Sequence, residues 1–325
     1  MPSFLCWLIL LMIADKSVSL AAEGPCPLSN VKSIPTTSSE QGYTDVVRFK
    51  DKFIAVGNDG RIDCITESGE KICLDSSCVY NLQCAFSSEE LLIAAGDRGT
   101  ILYSSDGKNF MSAESGTEKS IHGIAIKDGL LIAGADGGTI LTSKNGISWT
   151  VVPTGIRGNI LSIASGNSFF IGISDSGEII KSFDGMKWDI QNYNKEYTGY
   201  NQHSKFRKIF AAQNSIVIIG THDDGSPSIL FSSLGSVWAE REPIYQDEQG
   251  RYSYLTQKPN AITYDSERDQ FIVACDHGEL FSLPSCSKCD KNMKISEVNL
   301  QALIYFDNRL LIVGDEFLVF IQRLY

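Results

Sequence analysis

Basic residues are in the minority in this sequence: 28 Lys and Arg stand against 39 Asp and Glu, a net charge of -11 at neutral pH. That balance excludes sequence-independent binding to a phosphate backbone, so no nucleic acid partner is expected. Proline is sparse, at 9 of 325 residues, while 43% of residues are hydrophobic, which rules out a disordered or collagen-like chain. Four His give little metal-ligand capacity, and no HExxH, GxSxG, P-loop or dinucleotide fingerprint occurs. No metal and no cofactor are expected. There is no Asn-x-Ser/Thr sequon for an N-glycan. Beyond the N-terminus no apolar run approaches 18 residues, so no membrane-spanning helix is expected.

The one long apolar run is Phe4 to Ala14, 11 residues, followed by Asp15, Lys16 and the small-residue stretch 17–22. That length suits a signal-peptide h-region and falls short of a bilayer core of roughly 30 Å. Ser19-Leu20-Ala21 is the expected cleavage site, although the leading Met1-Pro2-Ser3 has no Lys or Arg. The alternative, a buried N-terminal core strand, has nothing later in the chain that needs it. Residues 1–21 are thus read as a signal and 22–325 as one secreted, extracellular, monomeric domain.

Removing the signal takes Cys6 and leaves Cys26, Cys64, Cys73, Cys78, Cys84, Cys275, Cys286 and Cys289. An even count in a secreted chain predicts disulfides. Cys286-Ser-Lys-Cys289 lacks the βαβ context of a redox motif, and Cys73, Cys78 and Cys84 lack the paired spacing of a zinc site.

A repeat runs through the rest of the chain. IAVGNDGRI, IAAGDRGTI, IAGADGGTI and IGISDSGEI start at 54, 93, 132 and 171, and looser copies follow near 218, 273 and 312. Gly60, Gly99, Gly138 and Gly177 are 39 residues apart. Each full unit splits into four short apolar runs divided by Gly, Asn, Asp and Ser, as four strands of a propeller blade would. The expectation is an all-β, seven-bladed propeller of four-stranded antiparallel blades. The last unit offers three strands, and the segment 31–36 is expected to supply its fourth and close the ring.

Four units share a turn after the third strand: 104–110, 143–149, 182–188 and 232–238, with Asp106 and Phe110, Asn145 and Trp149, Asp184 and Trp188, then Leu234 and Trp238. The pattern S-x-D-G-x-x-W/F resembles the Asp-box of sialidase-type propellers. With GxxGxI just upstream, residues 45 to 325 are most similar to the photosystem II assembly-factor group of Asp-box propellers. In such a turn Asp caps its own backbone, Gly supplies positive φ, and the aromatic packs the outer strand onto the next blade. The role is read as structural.

Cys64 and Cys73 flank the Ser68-Gly69 turn and are expected to pair across a hairpin, with Cys78–Cys84 and Cys286–Cys289 as loop staples. Cys26 and Cys275 then remain as the fourth pair. The sialidase resemblance implies an arginine triad, but the matching place near the N-terminus reads Ser33-Ile34-Pro35, and no catalytic residue can be placed.

Two features are candidates for function. Acidic residues recur between strands two and three: Asp59, Asp97, Asp136, Asp175, Asp223, Asp276 and Asp315. They form either an acidic channel mouth for a cation or basic partner, or simply good turn chemistry before Gly. The second feature breaks the period. Inserts at 192–208 and 241–254 connect outer to inner strands on one face and hold six of the 12 Tyr. Tyr193, Tyr197, Tyr200, His203, Arg207, Tyr245, Arg251, Tyr252 and Tyr254 are the expected binding residues, since inserts on one face of a repeat protein often form its binding face. A non-enzymatic propeller binding an extracellular protein or glycan is the preferred reading. A divergent sialidase-like glycoside hydrolase and an acidic matrix protein remain open.

Overall fold

A computed structural model describes residues 42–196, 203–212, 214–246, 251–284, 291–316 and 319–323. Among them, six repeats form four-stranded antiparallel sheets over 43–74, 82–112, 121–152, 160–192, 204–240 and 259–294. The last repeat forms a three-stranded sheet, Leu300–Phe306, Arg309–Gly314 and Val319–Arg323. The expected seven four-stranded blades are therefore corrected to six. The last unit supplies the three strands read from its sequence, and no fourth strand pairs with them among the described residues. The proposed closing segment 31–36 lies outside the described residues, as do the signal segment, Tyr197, Tyr200, Cys26, Cys286 and Cys289.

Second strands such as Leu92–Gly96 and Arg309–Gly314 are buried almost throughout, because each is covered on both faces by neighbouring sheets. Their sequences are accordingly continuous apolar runs rather than alternating ones. Among the described residues the core is distributed in seven clusters, each shared by two adjacent sheets. Ile54, Val56 and Ile62 of blade one meet Leu82, Leu92 and Leu102 of blade two. At the seam, Tyr43, Phe53 and Ile65 of blade one meet Phe306, Leu311 and Val313 of the three-stranded sheet, and Gly42 bridges Asp315.

Every inner strand carries a bulge near its start, where its pairing with the second strand skips a residue. The residues passed over are Thr44, Gln83, His122, Leu161, Arg207, Asn260 and Gln301. A bulged residue leaves the ladder and its side chain is re-aimed. Gly96 shows how the backbone accommodates this: a Cβ there would sit 2.0 Å from the Asn81 carbonyl oxygen, so only glycine permits the approach. Turn residue Gly99 has φ +68 and faces the Thr117 carbonyl equally closely, which fixes the glycine used to read the period.

The turns after the third strands share one set of bonds. In blade four, Asp184 Oδ1 accepts from the N–H groups of Met186 and Lys187, and Ser182 Oγ accepts from Gly185. Asp106 and Asn145 act in the same way in blades two and three. The fourth copy retains the Ser232–Gly235 bond but has Leu234 where the cap would be. Trp149 joins the core cluster between blades two and three, and Trp238 the one between blades four and five. Each aromatic thus packs onto the preceding blade rather than the next one.

The expected pairs Cys64–Cys73 and Cys78–Cys84 are corrected, whereas Cys286–Cys289 lies outside the described residues. The described cysteines, Cys64, Cys73, Cys78, Cys84 and Cys275, are all free thiols. In blade one the register sets Cys73 opposite Asp63 and Cys64 opposite Ile72, a parity that turns the two thiols to opposite faces. Cys64 is buried among the apolar residues between blades one and two, while Cys73 is exposed. Cys78 Sγ lies within its own loop, accepting from the Tyr80 N–H at 3.4 Å, whereas Cys84 is buried toward blade three. Cys275 is buried between blades five and six.

Candidate ligand site at the central cavity

The seven bulged residues converge on one cavity of about 400 Å³. Lys205, Lys208 and Lys258 join them in its lining. The bulges therefore bring one side chain from each sheet to a common site.

Most bulged residues are held by an acidic residue of their own sheet. Gln83 Nε2 donates to Asp97 at 3.1 Å, Asn260 Nδ2 to Asp276 at 2.7 Å and Gln301 Nε2 to Asp315 at 2.9 Å. His122 Nε2 lies 2.7 Å from an Asp136 oxygen. Thr44 instead donates its hydroxyl to the Leu82 carbonyl of the next blade at 2.5 Å. The backbone N–H of Asp97, Asp136, Asp175, Asp276 and Asp315 each bonds the residue just before its inner strand, which ties this turn to the incoming connection.

The acidic residues expected at the mouth are thus engaged one by one. Asp175 accepts both from the Asn159 backbone and from its side chain, each at 2.9 Å. Asp223 faces Lys205 at 3.2 Å and His203 at 3.3 Å, which hold its carboxyl below the usual carboxylate range. Asp59 donates its N–H to Asn81 Oδ1. Asn159 and Asn299 accept likewise from Gly137 and His277, so these three asparagines latch adjoining sheets. No Asp or Glu stands among the described lining residues. No group of three or more His, Cys, Asp or Glu suited to a metal occurs among the described residues.

The residues of the inserts separate into two sets. Tyr193 is 4% exposed and packs its ring 5.8 Å from that of Phe206, so it belongs to the core between blades four and five. Tyr245 is half-buried against Phe281. By contrast, Tyr252 and Tyr254 are 69% and 60% exposed on a two-stranded hairpin, Ile244–Gln246 with Tyr252–Tyr254. As alternate residues of one strand they share a face. Arg251 is exposed just before them. Both inserts reach the cavity lining: the first, 192–208, contributes Lys205, Arg207 and Lys208, and the second ends four residues before Lys258.

Gln83, His122, Lys208, Lys258, Asn260 and Gln301 were not among the residues expected to form a site. For Gln83 and His122 the signal is the repeat itself, because 44, 83, 122 and 161 stand at the same 39-residue interval as the turn glycines, whereas Lys208, Lys258, Asn260 and Gln301 fall where the inserts break that interval.

No family model matches the sequence, and no curated protein does. Among solved structures, YCF48 from Cyanidioschyzon merolae is similar with a TM-score of 0.65 at 13% identity, over 89% of this chain and 97% of that one. YCF48 bound to D1 peptide gives a TM-score of 0.67 at 13% identity, over 90% and 94%. The WD40 propeller domain of Doa1 gives 0.65 at 13%, over 89% and 95%. These likenesses show the β-propeller fold.

Proposed function

We propose that this chain is a secreted, non-enzymatic binding propeller that captures an extracellular protein partner through the face carrying the blade four to six inserts. The observation that carries this reading is the pair Tyr252 and Tyr254, large, exposed and on one side of a hairpin whose strand leads toward the cavity. Tyr supplies large contact area at low conformational cost, and exposed aromatics of this kind mark interfaces more often than solvent-facing surface. A propeller of the same fold is known bound to a peptide. The three turns capped by Ser with Asp or Asn, at Asp106, Asn145 and Asp184, support an Asp-box type, and the run 4–14 supports export. A hydrolase would need two carboxylates turned into the pocket, and the described lining contributes amides and cations instead.

The test is capture of partners by the secreted protein, compared with a Tyr252→Ala/Tyr254→Ala double variant. At least a tenfold loss of capture with an unchanged melting temperature is expected, since aromatic anchors commonly cost about 2 kcal/mol or more. Undiminished capture overturns the reading. Binding confined to a glycan array would transfer it to a carbohydrate ligand. N-terminal sequencing of exported material is expected to begin at Ala22.

A further inference from the structure

The tyrosine hairpin leaves the chemistry inside the cavity unexplained. In a chain of net charge -11, Lys205, Arg207, Lys208 and Lys258 are gathered from blades five and six into one cavity. Lys205 is paired with Asp223 at 3.2 Å, and Lys208 has Asp45 at 4.0 Å. Arg207 and Lys258 have no carboxylate within ion-pair distance among the described residues. The hydrogen bond of the Arg207 guanidinium runs from Nη2 to the neutral Gln301 amide oxygen at 3.2 Å. Asp276 and Asp315, whose fields reach Arg207, are already held by the amides of Asn260, Asn299 and Gln301.

The two cations act on each other. The charge of Arg207 is the chief cause holding the Lys258 ammonium below its ordinary value, with burial second. Burial also lowers the Arg207 guanidinium. Neither charge is neutralised, and a guanidinium has five donors of which the bond to Gln301 takes one. An anion between them would add two attractions that outweigh their one repulsion and would accept hydrogen bonds from the remaining donors. Gln301 on an inner strand keeps one amide hydrogen beyond its bond to Asp315, so the site is preformed on rigid strands rather than on loops.

We infer that the central cavity binds a small organic acid carrying two or more negative charges, as carboxylates or phosphates, with Arg207 and Lys258 as its anchors. The cavity, at about 400 Å³, lies in the size range of small-molecule sites. This site does not depend on the partner reading above.

Calorimetric titration of the full secreted chain with citrate, inorganic phosphate and glucose, at constant ionic strength, tests it. Saturable binding of one citrate or phosphate is expected, with none for glucose. Tighter citrate binding would assign a polycarboxylate, and tighter phosphate binding a phosphorylated ligand. Arg207→Gln should abolish binding, and Lys258→Gln, at an exposed position that leaves folding intact, should weaken it at least tenfold. Absence of saturable binding of both anions overturns the inference, as does affinity undiminished in Lys258→Gln. The Tyr252→Ala/Tyr254→Ala variant should bind the anion like wild type, so a failure of the partner reading is distinguishable from a failure of this one.

Discussion

The depressed carboxyls of the turns after the third strands have a consequence for acid stability. Backbone N–H bonds from Asn109 and Lys108 hold Asp106 far below the ordinary carboxylate range, and those from Lys187 and Met186 lower Asp184. A carboxylate whose folded value is lowered stabilises the fold above its unfolded value, near pH 4, and loses that contribution as pH falls through the folded one. Asn145 makes the same two backbone bonds without a charge, so Asp184→Asn should keep the turn and isolate the charge. In urea titrations the stability gap between wild type and Asp184→Asn should be present at pH 6 and vanish toward pH 2. A gap that persists unchanged at pH 2 would show that the charge is not its source.

Thiol chemistry divides along the same residue-level lines. Burial pushes the Cys84 thiol up to about 12 and raises Cys275 further, while Cys73, though also raised by partial burial, is exposed to reagent. Alkylation of the native protein followed by peptide mapping should modify Cys73 within minutes and leave Cys84 and Cys275 intact until unfolding, because the thiolate is the reactive form. Rapid native labelling of Cys84 would contradict the buried position. The even cysteine count in the sequence could not reveal this arrangement. A hairpin brings Cys64 and Cys73 near each other in register, but a shift of one residue decides whether they face each other or opposite sides.

Among the elements, the outer turns were the most legible in sequence, since Ser, Asp, Gly and Trp each leave a residue-specific mark. Their energetics are unequal. Trp149 donates its indole N–H to the Gly146 carbonyl at 3.0 Å, whereas the buried Trp238 indole N–H has no partner. Trp149→Ala should cost about 3–5 kcal/mol, as large buried aromatics do. Trp238→Phe should cost less than Trp149→Phe, since it removes a buried unpaired donor worth about 1–3 kcal/mol, and denaturant midpoints of the two variants give the comparison. The inserts were less legible. Tyr193 and Tyr252 look alike in sequence, yet Tyr193 begins a short helical turn, Tyr193–Glu196, that bonds back to Gly177 and lies in the core. Asn194 and Ser204 then bond reciprocally and pin the two ends of that insert. Aromatic enrichment alone does not separate a packing residue from a surface one. The bulges were invisible to a search for apolar runs, because a bulged residue is defined by the partner it lacks.

For the whole molecule, the shared core clusters make each sheet dependent on two neighbours. No sheet can detach without opening two clusters, and the three-stranded sheet meets the same condition through blade one. Unfolding should therefore be a single transition, and Phe306→Ala at the seam should destabilise it by about 3–5 kcal/mol, lowering the midpoint without splitting the transition. Two resolved melts in a calorimetric scan of that variant would show that the seam is not coupled to the rest. The repeat in the sequence made the architecture legible at this scale, including the three strands of the last unit, and the count of seven complete blades rested on a fourth strand from outside the repeats that is not found among the described residues.

The bulged residues have a further meaning for how such a chain can change. Each stands outside the ladder, and apart from Leu161 none packs in the clusters between sheets, so folding asks of most of them a polar partner rather than an apolar fit. The present set already ranges over Thr, Gln, His, Leu, Arg and Asn on an otherwise similar backbone. Seven positions open to substitution around one cavity amount to a combinatorial alphabet, in which ligand preference can drift or be redesigned one letter at a time while the scaffold is inherited intact.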